Sequence, residues 1–498
     1  MHPQPPESQD VSRRDLLLMG VAAGTYGMMA VPKSRAASPD AEWNPFIVQP
    51  YLQLGNAPAP SEMESLQVLW HADPGDSQWV VELDTSLQGR WNPAGPVTGC
   101  DVAVESIPAY RVYKATLRGL EPGSEFQYRL KRDDQTVFQA AGRARKAAGV
   151  PHRFALFGDC GSNSPGQKSV AYQVSLNQPD YVLHPGDAVY EFARMSEYRN
   201  KYFPIYNAEK PDAKEGAPLL RSIPFFTGPG AHDEQATLDD YDDVLSYYIF
   251  WSLPLNGPNL KSASPLTFSP GGTEAARQAT FTAAEDRFPR MAHYSFRYGD
   301  VHWTVLDTWG SHLDWNSPVL RGWLEETLAN GQDATWRFVS CYLPPFNSST
   351  AWPQGQKMRL LSEIFERYGV DIVFSGYAHS YQRTYPLRFR PSPRVDGPVS
   401  DPEQLVPGEF QFDESFDGRQ HTTPDGVLYL VSGGGGNPGL HSPEQTDNPR
   451  TWQPFTVRYV ADVNHFTLVD VNGPSLSIRQ IDETGRELDA FTVTKPGS

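Results

Sequence analysis

The sequence predicts two folded regions, a β-sandwich followed by an α/β layered domain. Three observations support this fold class. The chain has 498 residues, more than one compact core usually holds. Residues 46–146 contain short runs of alternating apolar residues separated by turn residues, a pattern typical of strands. After residue 150, apolar strands that end in polar loops alternate with helical segments, as in layered α/β domains.

Composition and charge narrow the functional classes. The chain is 39% hydrophobic, 12% aromatic and 20% charged, which is ordinary for a folded protein. Its 45 prolines and 41 glycines indicate many turns and long loops. A formal net charge of -17 repels phosphate backbones, so we expect no nucleic-acid partner. A small phosphorylated ligand would need locally focused positive charge, such as a metal ion.

Cysteine usage gives no disulfide framework. Cys100, Cys160 and Cys341 are an odd set, which allows at most one intramolecular bridge. Cys160 and Cys341 each adjoin a motif residue described below. We interpret both as small buried apolar residues rather than as bridge partners or metal ligands.

The N-terminus, residues 1–37, resembles a twin-arginine export signal. Arg13 and Arg14 precede an apolar stretch at 16–32 and small residues near Ala37. The stretch is interrupted by glycines and is short for a membrane span, which needs about 20 predominantly apolar residues. We therefore expect cleavage and no stable membrane anchor. The resemblance implies that the twin-arginine export machinery is a partner and that the protein is periplasmic or secreted. Any metal ion would then be bound before export.

The first predicted domain covers residues 43–147. Period-two alternation is clearest at 66–70, 79–83 and 111–117. The Leu-x-Pro-Gly turn and the tyrosine that follows it in segment 120–128 resemble the corner of fibronectin type III-like domains. We interpret this domain as a scaffold without chemistry of its own.

The second predicted domain covers residues 151–495. Helical patterns occur at 321–330 and 357–368. Two irregular stretches, 253–288 and 388–423, are longer than plain connections. They are compatible with lids or binding loops and equally with simple surface insertions.

Polar side chains follow five of the strand patterns in this domain. The segments are Phe-Gly-Asp-Cys-Gly at 157–161, His-Pro-Gly-Asp-Ala-Val-Tyr at 184–190, Pro-Gly-Ala-His-Asp at 229–233, Val-Ser-Cys-Tyr-Leu-Pro-Pro at 339–345 and Ser-Gly-Tyr-Ala-His-Ser-Tyr at 375–381. Glycine lets the chain turn sharply after a strand, so that nearby side chains point into a shared pocket. Carboxylate, phenolate and imidazole groups can then converge on one cation.

In their order, these segments resemble the five metal-binding blocks of the calcineurin-like metallophosphoesterases. The tyrosine after the second Gly-Asp resembles the purple acid phosphatase branch of that superfamily. The resemblance covers essentially the whole chain after the leader. It implies a metallophosphoesterase domain, built as a β-sheet sandwich flanked by helices, behind a fibronectin type III-like N-domain.

The resemblance also implies a ligand set for a first metal ion. The family uses the aspartate of the first block, the shared aspartate and tyrosine of the second, and the last histidine. The matching positions are Asp159, Asp187, Tyr190 and His379. Two carboxylates and a tyrosinate supply three negative charges, which favours one Fe3+ ion.

The family has three ligands that bind only its second metal ion, and the residues at the matching positions of this chain differ from them. An asparagine and two histidines are replaced by Ala231, Tyr342 and Tyr377. Alanine cannot coordinate, and phenols differ from the imidazoles that suit a borderline divalent ion. The second divalent metal therefore lacks its usual ligands, and we expect a mononuclear site.

Two roles remain open for Tyr342 and Tyr377. As phenolates they could bind iron, or they could hydrogen-bond to a bound oxyanion; as neutral rings they could fill the vacated volume. We favour filling or hydrogen bonding, because a phenol with a pKa of about 10 is costly to deprotonate without a cation. His232 resembles the family's catalytic acid, and the alternative is a structural histidine hydrogen-bonded beside Asp233.

The resemblance implies hydrolysis of phosphate esters by a metal-bound hydroxide, with His232 as the acid. Activity should be weak or altered, because one of the family's two cations is missing. Two alternatives stay open: a non-hydrolytic protein that binds iron and an anion, and a mononuclear iron enzyme of another reaction type. In each case the expected partner is a phosphorylated small molecule or another oxyanion.

Overall fold

The N-terminal strands lie in two antiparallel four-stranded sheets. The computed structural model describes residues 44–258, 267–392, 401 and 403–496, so the predicted leader at 1–37 lies outside the described residues. The strands are β1 Val48–Gln53, β2 Glu64–Ala72, β3 Trp79–Asp84, β4 Asn92–Pro93, β5 Thr98–Val102, β6 Tyr110–Leu120, β7 Glu125–Arg132 and β8 Gln135–Arg143. Their sheet orders are β1-β2-β6-β5 and β4-β3-β7-β8.

The three predicted alternating runs lie within β2, β3 and β6. Inward-facing residues of both sheets share a core, in which the Trp70 ring lies 5.4 Å from the Trp79 ring. The buried Arg145 donates to Glu64 at 2.7 Å and to the Arg297 carbonyl at 3.0 Å. These contacts join the N-terminal strands to the rest of the chain, and Pro45–Ser498 form one compact unit.

The remaining strands lie in two larger sheets and two hairpins. They are β9 His152–Leu156, β10 Tyr181–His184, β11 Asn207–Asp212, β12 Gly216–Pro218, β13 Phe225–Thr227, β14 Tyr294–Tyr298, β15 Val301–Leu306, β16 Trp336–Cys341, β17 Ile372–Ser375, β18 Tyr381–Thr384, β19 Leu387–Pro391, β20 Gly408–Phe412, β21 Leu428–Ser432, β22 Thr456–Val460, β23 His465–Asn472, β24 Ser475–Asp482 and β25 Glu487–Thr494.

Helices are short and flank these sheets. The α-helices are α1 Pro165–Leu176, α2 Met195–Glu197, α3 Phe203–Tyr206, α4 Ala231–Glu234, α5 Tyr247–Phe250, α6 Glu274–Ala284, α7 Pro318–Asn330 and α8 Ser362–Arg367. A π-helical turn covers Tyr198–Tyr202, and 3-10 turns cover Arg290–Ala292, Lys357–Leu361, Pro443–Gln445 and Pro449–Thr451.

The two larger sheets stack face to face and present the same ends of their parallel strands. Their orders are β13-β10-β9-β23-β24-β25 and β14-β15-β16-β17-β21-β18-β22. The Phe154 ring of β9 packs edge-on against Trp303 of β15 at 5.3 Å, between the sheets. In one sheet β9, β10 and β13 are parallel, and in the other β15, β16, β17 and β21 are parallel. Polar loops at the carboxyl ends of such strands converge on one region.

Local sequence explains where the predicted helices begin and end. The helix predicted at 321–330 is the C-terminal part of α7, which begins earlier because the Ser317 hydroxyl accepts from the Val319 N–H and Pro318 occupies the first turn. The helix predicted at 357–368 is divided into the 3-10 turn Lys357–Leu361 and α8.

The long stretches predicted as irregular contain regular elements. Helix α6 lies within 253–288, and its first turn is capped by the Thr273 side chain, which accepts from Ala276 N–H. Strands β19 and β20 lie within 388–423, apart from the first residue of β19, and pair as a hairpin. The prediction of irregular structure was therefore wrong for these segments, because short runs with weak periodicity are recognised only through their tertiary partners.

All three cysteines are free thiols, and Cys160 and Cys341 are buried, as predicted. Among the described residues, no helix has both the length and the apolar composition needed to cross a membrane.

Candidate metal centre

Four polar side chains from the loops after β9, β10 and β17 meet in a buried position. They are the predicted first-metal ligands Asp159, Asp187, Tyr190 and His379, with exposed fractions of 0%, 1%, 3% and 8%. Consecutive members of the set are as close as 3 residues, Asp187 to Tyr190, and as far apart as 189, Tyr190 to His379, so the fold itself assembles the set.

The donor atoms surround one point. Tyr190 Oη lies 3.2 Å from Asp159 Oδ1 and 3.2 Å from Asp187 Oδ2. It lies 3.1 Å from His379 Nε2, which is 3.5 Å from Asp159 Oδ1. Ligand bonds of about 2.0–2.2 Å to one small ion place neighbouring donor atoms about 3 Å apart. The geometry therefore fits a single cation bound by three oxygens and one nitrogen.

Backbone donors fix the other oxygen of each carboxylate. Asp187 Oδ1 accepts the N–H of His232 at 2.9 Å, and Asp159 Oδ2 accepts the N–H of Tyr377 at 3.0 Å. Each aspartate is thus held by one oxygen and presents the other to the shared point. Outer hydrogen bonds of this kind orient metal ligands in proteins.

The His379 ring is oriented by the loop at 437–441. Its Nδ1 lies 2.6 Å from the carbonyl of Gly439, so the Nδ1–H donates there and Nε2 is directed to the point that the two carboxylates share. The ring of His441 stacks on the ring of His379 at a centroid distance of 4.0 Å. Its Nδ1 accepts a hydrogen bond from the backbone N–H of His379. Burial lowers the pKa of His441 to about 3, so this neighbour stays neutral. Neither Gly439 nor His441 lies in a motif that could be recognised from the sequence.

Unusual backbone conformations concentrate here. Asp159, Asp187 and Tyr377 have φ angles of 58°, 51° and 67°. Aspartate adopts this left-handed region more readily than most residues, whereas an aromatic residue adopts it at a cost. The surrounding structure therefore holds a residue from each of three loops in a left-handed conformation beside the cluster.

Glycines allow the backbone to approach both carboxylates closely. A β-carbon at Gly376 would lie 2.7 Å from Asp159 Oδ2, and one at Gly230 would overlap Asp187 Oδ1. A side chain at either position would displace a predicted ligand.

The electrostatics of the cluster also favour a bound cation. Burial raises the pKa of Asp159 to about 6, although His379 opposes the shift. Burial raises the pKa of Tyr190, and the charges of Asp159 and Asp187 raise it further. Within the described part of the chain, Asp159 and Asp187 form ion pairs only with histidines. A cation would remove this excess of buried negative charge and stabilise a tyrosinate.

Two phenol rings occupy the region that matches the second metal. Tyr342 Oη donates a 2.5 Å hydrogen bond to Asp187 Oδ2, and the rings of Tyr342 and Tyr377 pack edge-on at 5.3 Å. Burial raises the pKa of Tyr342, and Asp187 raises it further, so the phenol remains a donor. Ala231 lies at the start of α4, with no ligating atom in its side chain. The indole rings of Trp309 and Trp352 extend this aromatic group at 5.8 Å and 6.3 Å from the Tyr377 ring, and no sequence motif predicted their position there.

His232 lies beside the cluster, and both of its predicted roles, catalytic acid and structural histidine, stay open. Its Nδ1 contacts the carbonyl of Glu191, not the carboxylate of Asp233, which instead accepts from the Gly230 N–H. The reason is that α4 directs Asp233 back toward its own first turn. His232 Nε2 lies 3.9 Å from Asp187 Oδ2, and 23% of the side chain is exposed.

Comparison with known proteins agrees with this architecture. Residues 152–381 match the calcineurin-like phosphoesterase family model. Purple acid phosphatase 23 of Arabidopsis thaliana is 26% identical over 298 residues, covering 55% of this chain and 57% of that protein. Acid phosphatase type 7 of Homo sapiens is 23% identical over 493 residues, covering 89% of this chain and 93% of that protein.

Solved structures show the same fold. Purple acid phosphatase PPD1 from seeds of yellow lupin, Lupinus luteus, superposes with a TM-score of 0.60 at 17% identity, covering 89% of this chain and 74% of that one. The structure of PhoD superposes with a TM-score of 0.54 at 13% identity, covering 92% and 94%. Residues 152–381 thus match the calcineurin-like phosphoesterases, and the chain is similar to purple acid phosphatases in sequence and fold.

Proposed function

We propose that this protein is an exported hydrolase of phosphate esters that works with one metal ion. The observation that carries the proposal is the buried convergence of Asp159, Asp187, Tyr190 and His379, whose donor atoms lie 3.1 Å to 3.5 Å apart around one point. The similar proteins named as acid phosphatases support phosphate esters as the substrate class.

The donor set favours Fe3+ over a divalent ion. Two carboxylates and one phenolate are hard, negatively charged oxygen ligands, which suit a trivalent ion. When bound, the ion would polarise a phosphoryl oxygen and lower the pKa of a coordinated water. The chain's own contribution is to hold the ligands rigidly in a buried place, with one oxygen of each aspartate already engaged by a backbone N–H.

His232 is the proposed proton donor to the leaving group. Its Nδ1 is engaged by the Glu191 carbonyl, which leaves Nε2 directed to the partly exposed side of the cluster, 3.9 Å from Asp187 Oδ2. In its imidazolium form, a histidine placed in this way can transfer the Nε2 proton to an alcohol oxygen as it leaves phosphorus, and the ring becomes neutral.

The tyrosine pair predicts weak hydrolysis. In place of a second cation, Asp187 has only a hydrogen bond from the neutral phenol of Tyr342. A neutral hydrogen bond neutralises less transition-state charge than a divalent ion, and each 1.4 kcal/mol lost is about tenfold in rate. The same hydrogen bond favours a second candidate, a non-hydrolytic protein that binds iron and an oxyanion.

The other parts of the proposal concern location and scaffold. The leader at 1–37 would direct the folded, metal-loaded chain through the twin-arginine machinery, to a periplasmic or secreted location. The two N-terminal sheets would form a fibronectin type III-like scaffold over residues 43–147. Among the described residues, the two N-terminal sheets contribute no group to the metal centre.

A panel of phosphomonoesters and phosphodiesters assayed with iron-loaded protein tests the proposal. We expect slow, metal-dependent turnover that is lost in His379→Ala and in Asp159→Asn. The matched control Asp133→Asn changes an exposed aspartate and should keep the activity. Tight phosphate binding without turnover of any ester would favour the anion-binding candidate instead.

A further inference from the structure

A second group of possible metal ligands lies outside the predicted centre. Glu234, Asp307 and His312 each offer one ligand atom, and these atoms lie within 4.8 Å of one another. Glu234 is the last residue of α4, and the other two lie in the loop after β15. None of the three follows a strand-end Gly-Asp pattern, so their association appears only in the folded chain.

Glu234 is buried and makes no close hydrogen bond, although Asp307 and the Tyr248 hydroxyl are its neighbours. Its exposed fraction is 4%, and neither carboxylate oxygen makes a hydrogen bond of normal length and angle with any described residue. The hydroxyl of Tyr248, which is 1% exposed, also lacks such a partner. Tyr248 lies close enough to Glu234 that, after burial, the carboxylate is the largest influence raising the pKa of the phenol. Adjacent buried polar atoms without partners are rare in native proteins and indicate an ion or another bound group.

Asp307 is oriented toward the same point. Its N–H donates to His293 Nδ1 at 3.2 Å, and its Oδ1 accepts the N–H of Trp309 at 3.3 Å. Its Oδ2 therefore remains available and lies 3.9 Å from His312 Nε2. Small side-chain rotations would bring the three donor atoms to the spacing that one ion requires.

The charge in this region is not balanced by the nearby cation. Lys357 Nζ donates to the carbonyls of Trp309 and Gly310 at 3.3 Å each, so part of its hydrogen-bonding capacity is used by the backbone. Burial lowers the pKa of Lys357 to about 8, against the attraction of Asp307 and Glu234. Burial raises the pKa of Glu234 and the charge of Asp307 raises it further, so a bound cation would stabilise the ionised form of Glu234.

We propose that Glu234, Asp307 and His312 bind one divalent transition-metal ion of the zinc type, at a site separate from the Asp159 centre. Two carboxylate oxygens and one imidazole nitrogen suit Zn2+ better than Mg2+ or Ca2+, which take oxygen ligands almost exclusively. The bound ion would join α4, which carries His232, to the loop after β15. Its role is therefore positional, and it does not depend on hydrolysis taking place.

Zinc content measured by elemental analysis tests this site. Full-length iron-loaded protein is exposed to ZnCl2 and desalted, so that iron occupies the Asp159 centre. We expect one equivalent of zinc in the wild type and none in Glu234→Gln or Asp307→Asn, with iron content unchanged. Glu121→Gln, at an exposed position, is the matched control and should keep the zinc.

A second pair of variants separates the two metal sites. His379→Ala should lose iron, and the double variant with Glu234→Gln should hold one equivalent of zinc less than His379→Ala alone. Because Glu234 and Asp307 are buried, circular dichroism checks the fold, and His312→Asn repeats the test at a ligand whose side chain is 16% exposed. Absence of zinc from the iron-loaded wild type, or zinc content that none of these variants changes, would overturn the proposal and leave a proton shared between the two carboxyls.

Discussion

Tyr342 Oη donates a 2.5 Å hydrogen bond to Asp187 Oδ2, the same oxygen that lies 3.2 Å from Tyr190 Oη. This oxygen therefore contacts two phenols. One belongs to Tyr190, the predicted metal ligand, and the other to Tyr342, at the position where purple acid phosphatases have a histidine that binds the second metal. This arrangement explains how the carboxylate can remain in place without a second cation: a phenol proton takes that position.

Removal of the Tyr342 hydroxyl should destabilise the protein. Hydrogen bonds to charged groups contribute about 1.5–3 kcal/mol, so Tyr342→Phe should lower the free energy of unfolding of the metal-free protein by that amount. Tyr377→Phe is the matched control, because the same atom is removed from the adjacent ring without an assigned hydrogen bond to Asp187. Urea denaturation measures both. Equal effects of the two variants would contradict the role assigned to Tyr342.

A methyl group at Gly376 should disrupt the metal centre. The added β-carbon would lie 2.7 Å from Asp159 Oδ2, so Gly376→Ala should lower the iron content while most of the fold persists. Gly322→Ala is the control, since its β-carbon would meet nothing within 4 Å in the middle of α7. That substitution should stabilise the helix by about 0.5–1 kcal/mol. Full iron occupancy in Gly376→Ala would show that Asp159 does not bind the ion.

Much of the centre could be predicted because its ligands follow strands directly. Asp159 and Asp187 are marked by Gly-Asp at strand ends, and parallel strands bring those ends together. The contributions of Gly439 and His441 could not be predicted, since a loop far along the chain places them against His379. The same reason applies to Glu234, whose partners come from the loop after β15.

The helix predicted at 357–368 shows a different limit. Its apolar periodicity is helical, but Lys357 is fully buried and its ammonium donates to two backbone carbonyls. The segment Lys357–Leu361, which the pattern predicted as α-helix, is a 3-10 turn that begins at this buried lysine.

Buried histidines should make stability fall in acid. Burial lowers the pKa of His465 to about 3, whereas the unfolded side chain titrates near 6.5, about the reference value. Between these values the unfolded state binds the extra proton, so stability is present above about pH 6.5 and is lost as pH falls toward 3. His465→Gln should reduce the slope of unfolding free energy against pH by at most about 1.4 kcal/mol per pH unit. Equal slopes in wild type and His465→Gln would contradict this assignment.

Export should depend on the arginine pair of the leader. Replacing both Arg13 and Arg14 by lysine should retain the precursor in the cytoplasm, because twin-arginine recognition requires the pair. Cell fractionation and immunoblotting measure the distribution. The matched control Arg35→Lys changes an arginine near the end of the leader and should be exported normally. Normal export of the double variant would remove the twin-arginine assignment.

The visible absorption spectrum of iron-loaded protein tests the mononuclear centre most directly. A tyrosinate bound to Fe3+ absorbs visible light by charge transfer from ligand to metal, so the wild type should be coloured. Tyr190→Phe removes only the phenol oxygen and should abolish the band with packing nearly intact. Tyr342→Phe and Tyr377→Phe should keep it. A colourless iron-loaded wild type, or a band that disappears in Tyr342→Phe or Tyr377→Phe and persists in Tyr190→Phe, would contradict the assignment of Asp159, Asp187, Tyr190 and His379 as the ligand set.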